Sequence, residues 1–219
     1  MNKAALVEGD LLENPSGDMV ERKRIGLLGG SFDPFHLGHL SIAKEAAKSL
    51  NLEKIYLVPA YKQPFKEGHS ASWEQRVEMV KLVAKEYDFL EVLTIEGERK
   101  KDSYTYDTVM EIKEAADCEV ILIMGSDSLL SIEKWYRAGC LLGACSLAVA
   151  KRPGVSDTEI LEECHRINEK YGTSVRLLEN NLIWISSTNI KLEIERGGSI
   201  KNLVPKCVEQ YIMTRGLYV

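Results

Sequence analysis

The stretch Ile25-Gly26-Leu27-Leu28-Gly29-Gly30-Ser31-Phe32-Asp33-Pro34-Phe35-His36-Leu37-Gly38-His39 decides how this chain is read. Its first four residues are a short apolar run and predict a strand over 25–28. Gly29 and Gly30 supply a turn, and Leu40-Ser41-Ile42-Ala43-Lys44-Glu45-Ala46-Ala47 continues with helical spacing, predicting a helix over roughly 37–49. Strand, glycine turn and helix in that order let backbone N–H groups approach a bound anion, because glycine carries no side chain to block them. His36 and His39 are three residues apart, so at a helix start they share a face and point at one bound group. Only four histidines occur in the chain, and two fall here.

The pairing suggests a nucleotide phosphate site. It is not a P-loop, which needs Lys-Ser or Lys-Thr after its last glycine. It is not a zinc helix, since H-E-x-x-H is absent. It is not a dinucleotide-binding redox turn either, because G-x-G-x-x-G and its ribose-binding acid are missing.

Working outward, strands and helices alternate. Strands are predicted over 54–58, ended by Pro59, and over 90–94, 120–124, 147–150 and 175–178. Helices are predicted over about 72–85, opened by the capping-box spacing Ser72-Trp73-Glu74-Gln75, and over 105–116, 158–171, 187–196 and 205–214. Residues 60–70 read as a polar loop. The alternation implies an α/β fold, a Rossmann-like doubly wound parallel sheet in a single domain. Ligands in such sheets bind outside the carboxyl ends of the strands, which is where the remaining motifs fall. Residues 1–23 read as an N-terminal extension, disordered or docked, ahead of a domain over 24–219.

Composition agrees with a soluble globular protein. Of 219 residues, 45% are hydrophobic and 28% charged, enough for a sizeable core. A net charge of −5 argues against nonspecific nucleic-acid binding. Five cysteines, an odd number without C-x-x-C, exclude a disulfide framework and fit a reduced, cytoplasmic setting. No apolar run is long enough to span a membrane, and Glu8 and Asp10 interrupt any signal-peptide core. Oligomeric state is not legible.

Each further motif has two readings. In Gly125-Ser126-Asp127-Ser128-Leu129 the carboxylate either accepts from ribose hydroxyls or caps the next helix. Lys151-Arg152-Pro153-Gly154 meets phosphates or is a basic turn. Ser187 and Thr188 open a helix and form an anion site or an ordinary cap. Tyr104, Thr105, Trp135 and Tyr136 offer surfaces for a flat heterocycle or pack in the core. Pro64-Phe65-Lys66 is a basic lid or a solvated loop.

Taken together, G-G-S-F-D-P-F-H-L-G-H, D-S-Y-T-Y-D-T, G-S-D-S-L, K-W-Y, K-R-P-G, I-S-S-T and the closing G-L-Y resemble the nucleotidylyltransferase superfamily, most closely the bacterial nicotinate-nucleotide adenylyltransferases. The resemblance spans about 24–219. It implies adenylyl transfer from ATP to nicotinate mononucleotide, giving deamido-NAD and pyrophosphate in NAD biosynthesis, with Mg²⁺ carried mainly by the ATP phosphates and no protein metal site. It implies that His36, His39 and Lys191 are catalytic, the two imidazoles favoured as protonated by the nearby phosphates. Gly29, Gly30, Ser31, Phe32, Gly125, Asp127, Arg152, Ser187 and Thr188 would bind ATP, the glycine turn also holding the mononucleotide phosphate. Lys66, Tyr104, Thr105 and Trp135 would bind the nicotinate nucleotide. The chain departs from the family in having Lys191 where arginine is usual and Phe65 where histidine is common. The alternatives are the same chemistry on nicotinamide mononucleotide or another phosphorylated acceptor, and a nucleotide-binding module without catalysis.

Overall fold

The computed structural model describes residues 23–63, 68–179 and 185–219. Six strands form one parallel sheet: β1 (Lys23–Gly30), β2 (Ile55–Pro59), β3 (Leu90–Val92), β4 (Cys118–Gly125), β5 (Ser146–Ala150) and β6 (Val175–Leu178), in the order β3-β2-β1-β4-β5-β6. The order reverses between β1 and β4, which opens a crevice at their carboxyl ends. The doubly wound single-domain arrangement expected from the alternation is therefore present.

The central strands β1, β2, β4 and β5 are buried on both faces over most of their length, so their side chains sort with period two. Ile121 and Ile123 of β4 join one core layer, and Val120, Leu122 and Met124 join the other. The first layer is closed by α1 (Leu37–Leu50), α2 (Trp73–Ala84), α8 (Ser187–Glu195) and α9 (Lys206–Arg215), through Ala43, Met79, Ile190 and Val208. The second is closed by α4 (Thr105–Ala115), α6 (Ala138–Ala144) and α7 (Asp157–Tyr171), through Val109, Leu141 and Ile160.

Several boundaries differ from the pattern. The third strand stops at Val92, because Thr94 opens the short helix α3 (Ile95–Arg99). Two further short helices, α5 (Ser126–Leu129) and α6, and a 3₁₀ turn over Ile132–Lys134 have no helical periodicity long enough to announce them. Pro205 caps α9 from outside rather than starting it. The expected extension up to residue 22 and the Pro64-Phe65-Lys66 lid lie outside the described residues, whereas Lys23 already pairs with β4. No helix among the described residues is long and apolar enough to cross a membrane, and all five cysteines are unpaired.

Candidate active site

The site begins where β1 leaves the sheet. Ser31 follows Gly30, and its hydroxyl donates to Gln63 at 2.8 Å. Phe32 then takes φ +49 and buries its ring. Such backbone is uncommon for a bulky residue and persists only where the surroundings hold it. Here Phe32 packs on Phe35 and meets the edge of His39 at 5.0 Å between centroids.

His36 and His39 then make a capping box of an unusual kind. His36 is the N-cap of α1, and its Nδ1 accepts from the His39 backbone N–H at 3.4 Å. His39 Nδ1 accepts from the His36 N–H at 3.2 Å. The rings stack, with centroids 3.6 Å apart. With each Nδ1 acting as acceptor, the ring proton of each is assigned to Nε2. Gly38 makes room for this: a Cβ there would lie 2.9 Å from His36 Nδ1.

In the ligand-free protein His36 is buried, and burial together with the Arg152 charge pushes it down to about 3, so the ring is neutral. The unfolded chain, with its ordinary value near 6.5, binds the extra proton between those limits. This residue's contribution to stability is thus complete above about 6.5 and is lost as the pH falls towards 3. Chemical denaturation should show stability dropping from neutral pH to about pH 5, with His36→Gln reducing the drop. An undiminished drop in that variant would contradict the assignment.

Asp33 is the hub beside the turn. It is 4% exposed and accepts four hydrogen bonds: Ser70 N–H at 2.9 Å, Ala71 N–H at 3.1 Å, Tyr218 O–H at 2.8 Å and Lys191 Nζ at 3.3 Å. Burial works to raise its pKa, but these donors outweigh it and hold the carboxyl below its ordinary value. Lys191 is thereby drawn to the glycine turn, and it also reaches Ser70 Oγ at 3.1 Å. Ser187 donates its hydroxyl to the Pro34 carbonyl at 3.0 Å, which seats the start of α8 on the same turn. Ser186, rather than Ser187, caps α8, and Thr188 is exposed.

The exits of β4 and β5 meet across from this. Ser126 Oγ accepts the Arg152 N–H at 3.1 Å, and the Arg152 side chain lies over Gly125, where a Cβ would come within 2.7 Å of Nε. Asp127 Oδ1 stands 3.6 Å from that Nε, whose N–H is buried without a hydrogen-bond acceptor. The Arg152 charge is also felt by His36.

A second cluster hangs from the exit of β2. Ser103 Oγ accepts from the N–H groups of Tyr61 and Lys62, and Ser103 N–H donates to Lys62 O at 2.8 Å. This fixes Tyr104, the N-cap of α4, whose ring meets Tyr136 at 4.5 Å. Trp135 is partly buried against the second core layer, while Tyr136 is 42% exposed. Tyr136, rather than Trp135, is therefore the ring facing Tyr104. Thr105 is the first residue of α4, and no side chain caps that helix start.

Arg76 joins the two clusters and was not singled out by sequence. Its guanidinium donates to the carbonyls of Ser31 and Ala60, both at 2.7 Å, and to Tyr61 O at 3.3 Å. The signal was present: Arg76 precedes Met79 and Val80 by three and four residues, which puts a charge on the apolar face of α2. Asp33 was inside the quoted turn but unassigned. Lys66 lies outside the described residues.

Comparison with known proteins identifies the family. The family model described as cytidylyltransferase-like matches residues 27–193. A probable nicotinate-nucleotide adenylyltransferase of Clostridium botulinum is 39% identical over 197 residues, covering 90% of this chain and 98% of the relative. Its Shewanella woodyi counterpart is 37% identical, covering 89% and 99%. The structure of Plasmodium falciparum nicotinic acid mononucleotide adenylyltransferase in complex with NaAD superposes with a TM-score of 0.73 at 19% identity, covering 90% of this chain and 97% of that one. At that identity the likeness speaks for the fold.

Proposed function

Since the chain belongs to the cytidylyltransferase-like family, and within it to the nicotinate-nucleotide adenylyltransferases, we infer that it transfers the adenylyl group of ATP to nicotinate mononucleotide, releasing pyrophosphate and giving deamido-NAD for NAD biosynthesis. The observation that supports a phosphoryl centre here is the pair of stacked imidazoles at the exit of β1, each with Nδ1 accepting a backbone N–H and the ring proton therefore on Nε2.

In this reading the 5′-phosphate of the mononucleotide attacks the α-phosphorus of ATP in line. An ionised phosphate needs no strong general base, so catalysis rests on alignment and charge stabilisation. His36 and His39 donate from Nε2 to the phosphate oxygens. Lys191 and Arg152 add positive charge, and the Arg152 Nε–H lacks a hydrogen-bond acceptor in the protein. The end of β1 at Gly29 and Gly30, with Ser31 and Phe32 beyond it, holds phosphate against backbone N–H groups. Gly125 and Asp127 receive the adenosine ribose, with Ser187 and Thr188 at the start of α8 beside the triphosphate. Tyr104, Thr105, Trp135 and Tyr136 frame the nicotinate, and the uncapped N–H groups of α4 suit its carboxylate.

A divalent cation fits as a passenger on the ATP phosphates rather than in a protein cage. The Asp33 carboxylate is taken up by four donors, and Asp127 faces Arg152. Magnesium there would supply neutralisation of the leaving pyrophosphate. The cytoplasm is the compartment this reading expects.

The test is an acceptor assay. Purified chain with ATP should release pyrophosphate with nicotinate mononucleotide faster than with nicotinamide mononucleotide or 4′-phosphopantetheine. Tight ATP binding with no pyrophosphate from any acceptor would sink the enzymatic reading.

A further inference from the structure

We propose that Tyr218, the penultimate residue, is a positioning residue for Lys191, acting through Asp33. The phenol holds one oxygen of a buried carboxylate whose other oxygen aims the ammonium that meets the triphosphate. This rests on the reading of Lys191 as a phosphate ligand given above.

The tail is built to deliver that hydroxyl. Gly216 ends α9 in the left-handed conformation, buried Leu217 pins the chain that follows, and Tyr218 itself takes φ +68. A tyrosine keeps such backbone only when its surroundings hold it, and here its O–H lies 2.8 Å from Asp33 Oδ1, 185 residues away in sequence. Asp33 Oδ2 lies 3.3 Å from Lys191 Nζ.

Lysine makes such an arrangement necessary. An arginine brings a rigid planar fork, whereas lysine is a point charge on a flexible stem, so the resting place of its ammonium is set by its acceptors. Asp33 and Ser70 provide those acceptors. A carboxylate with no other donors would hold the ammonium tightly and compete with ATP for it. Donation from Tyr218 to Oδ1, alongside the Ala71 N–H, takes up part of the carboxylate charge. Lys191 is then placed but releasable.

A double-mutant cycle on the full chain tests this, with the affinity for the non-hydrolysable analogue α,β-methylene-ATP measured by calorimetry. Lys191→Ala should weaken binding, and Tyr218→Phe should weaken it roughly three- to ten-fold. In the Lys191→Ala background the second change should add nothing, because its effect passes through the ammonium. Removing Tyr218 and Val219 together should behave in the same way, which guards against an effect of the substituted ring. If Tyr218→Phe binds like the parent, or its effect persists in full without Lys191, the proposal is overturned while the role of Lys191 stands. If Lys191→Ala itself leaves binding unchanged, the reading of Lys191 fails and takes the proposal with it.

Discussion

Replacing His39 by alanine is expected to slow adenylyl transfer roughly 100- to 1,000-fold, with ATP affinity changed far less. The ring is partly exposed, so its loss opens no large cavity. What disappears is one of two donors fixed to the backbone before substrate arrives, and such preorganised donors act where charge develops in the transition state. The variant also loses half of the reciprocal cap at the start of α1, a cost of about 1 kcal/mol that the fold can bear. Steady-state kinetics and a binding isotherm separate the two effects. A loss confined to KM, with kcat unchanged, would show that His39 serves binding alone.

The second large effect is expected at Arg76. Arg76→Met should lower stability by ~3 kcal/mol or more, a fall in melting temperature of roughly 10 °C for a chain of this size. Arg76 is 1% exposed, and its partners are the carbonyls of Ser31, Ala60 and Tyr61. Methionine fills much of the space but leaves those carbonyls without donors, which costs more than the hydrogen bonds were worth. The same three carbonyls frame the glycine turn and the exit of β2, so the KM for both substrates should rise in protein that remains folded. Thermal unfolding indistinguishable from the parent would mean that water or neighbouring donors replace the guanidinium, and that the bolt between the two exits is not needed.

Much of this was legible because the signals are local. Apolar runs of strand length and the Ser72–Gln75 capping box depend on residues close in sequence, and the observed elements follow them closely, whereas Gly29 and Gly30, expected to turn, complete β1. The convergence of strand exits follows from the alternation alone, since a parallel sheet gathers all its carboxyl ends on one edge. The networks that tune the site depend on distant pairs. Tyr218 and Asp33, or Ser187 and Pro34, meet only after the sheet has formed. Ring placement was likewise hidden: Trp135 and Tyr136 are adjacent, and the 3₁₀ turn before them sends one towards the core and the other towards Tyr104. The neutral state of His36 depends on its burial and on the charge of Arg152, which no spacing rule conveys.

The Nε2–H groups of His36 and His39 are expected to receive the triphosphate at the exit of β1. A ¹⁵N NMR titration of histidine-labelled protein with α,β-methylene-ATP tests it most directly, since only four imidazoles need be followed. On binding, the Nε2 signals of His36 and His39 should move, their Nδ1 signals should stay those of hydrogen-bond acceptors, and His69 and His165 should be unaffected. Saturating binding with both His36 and His39 signals unmoved would contradict it.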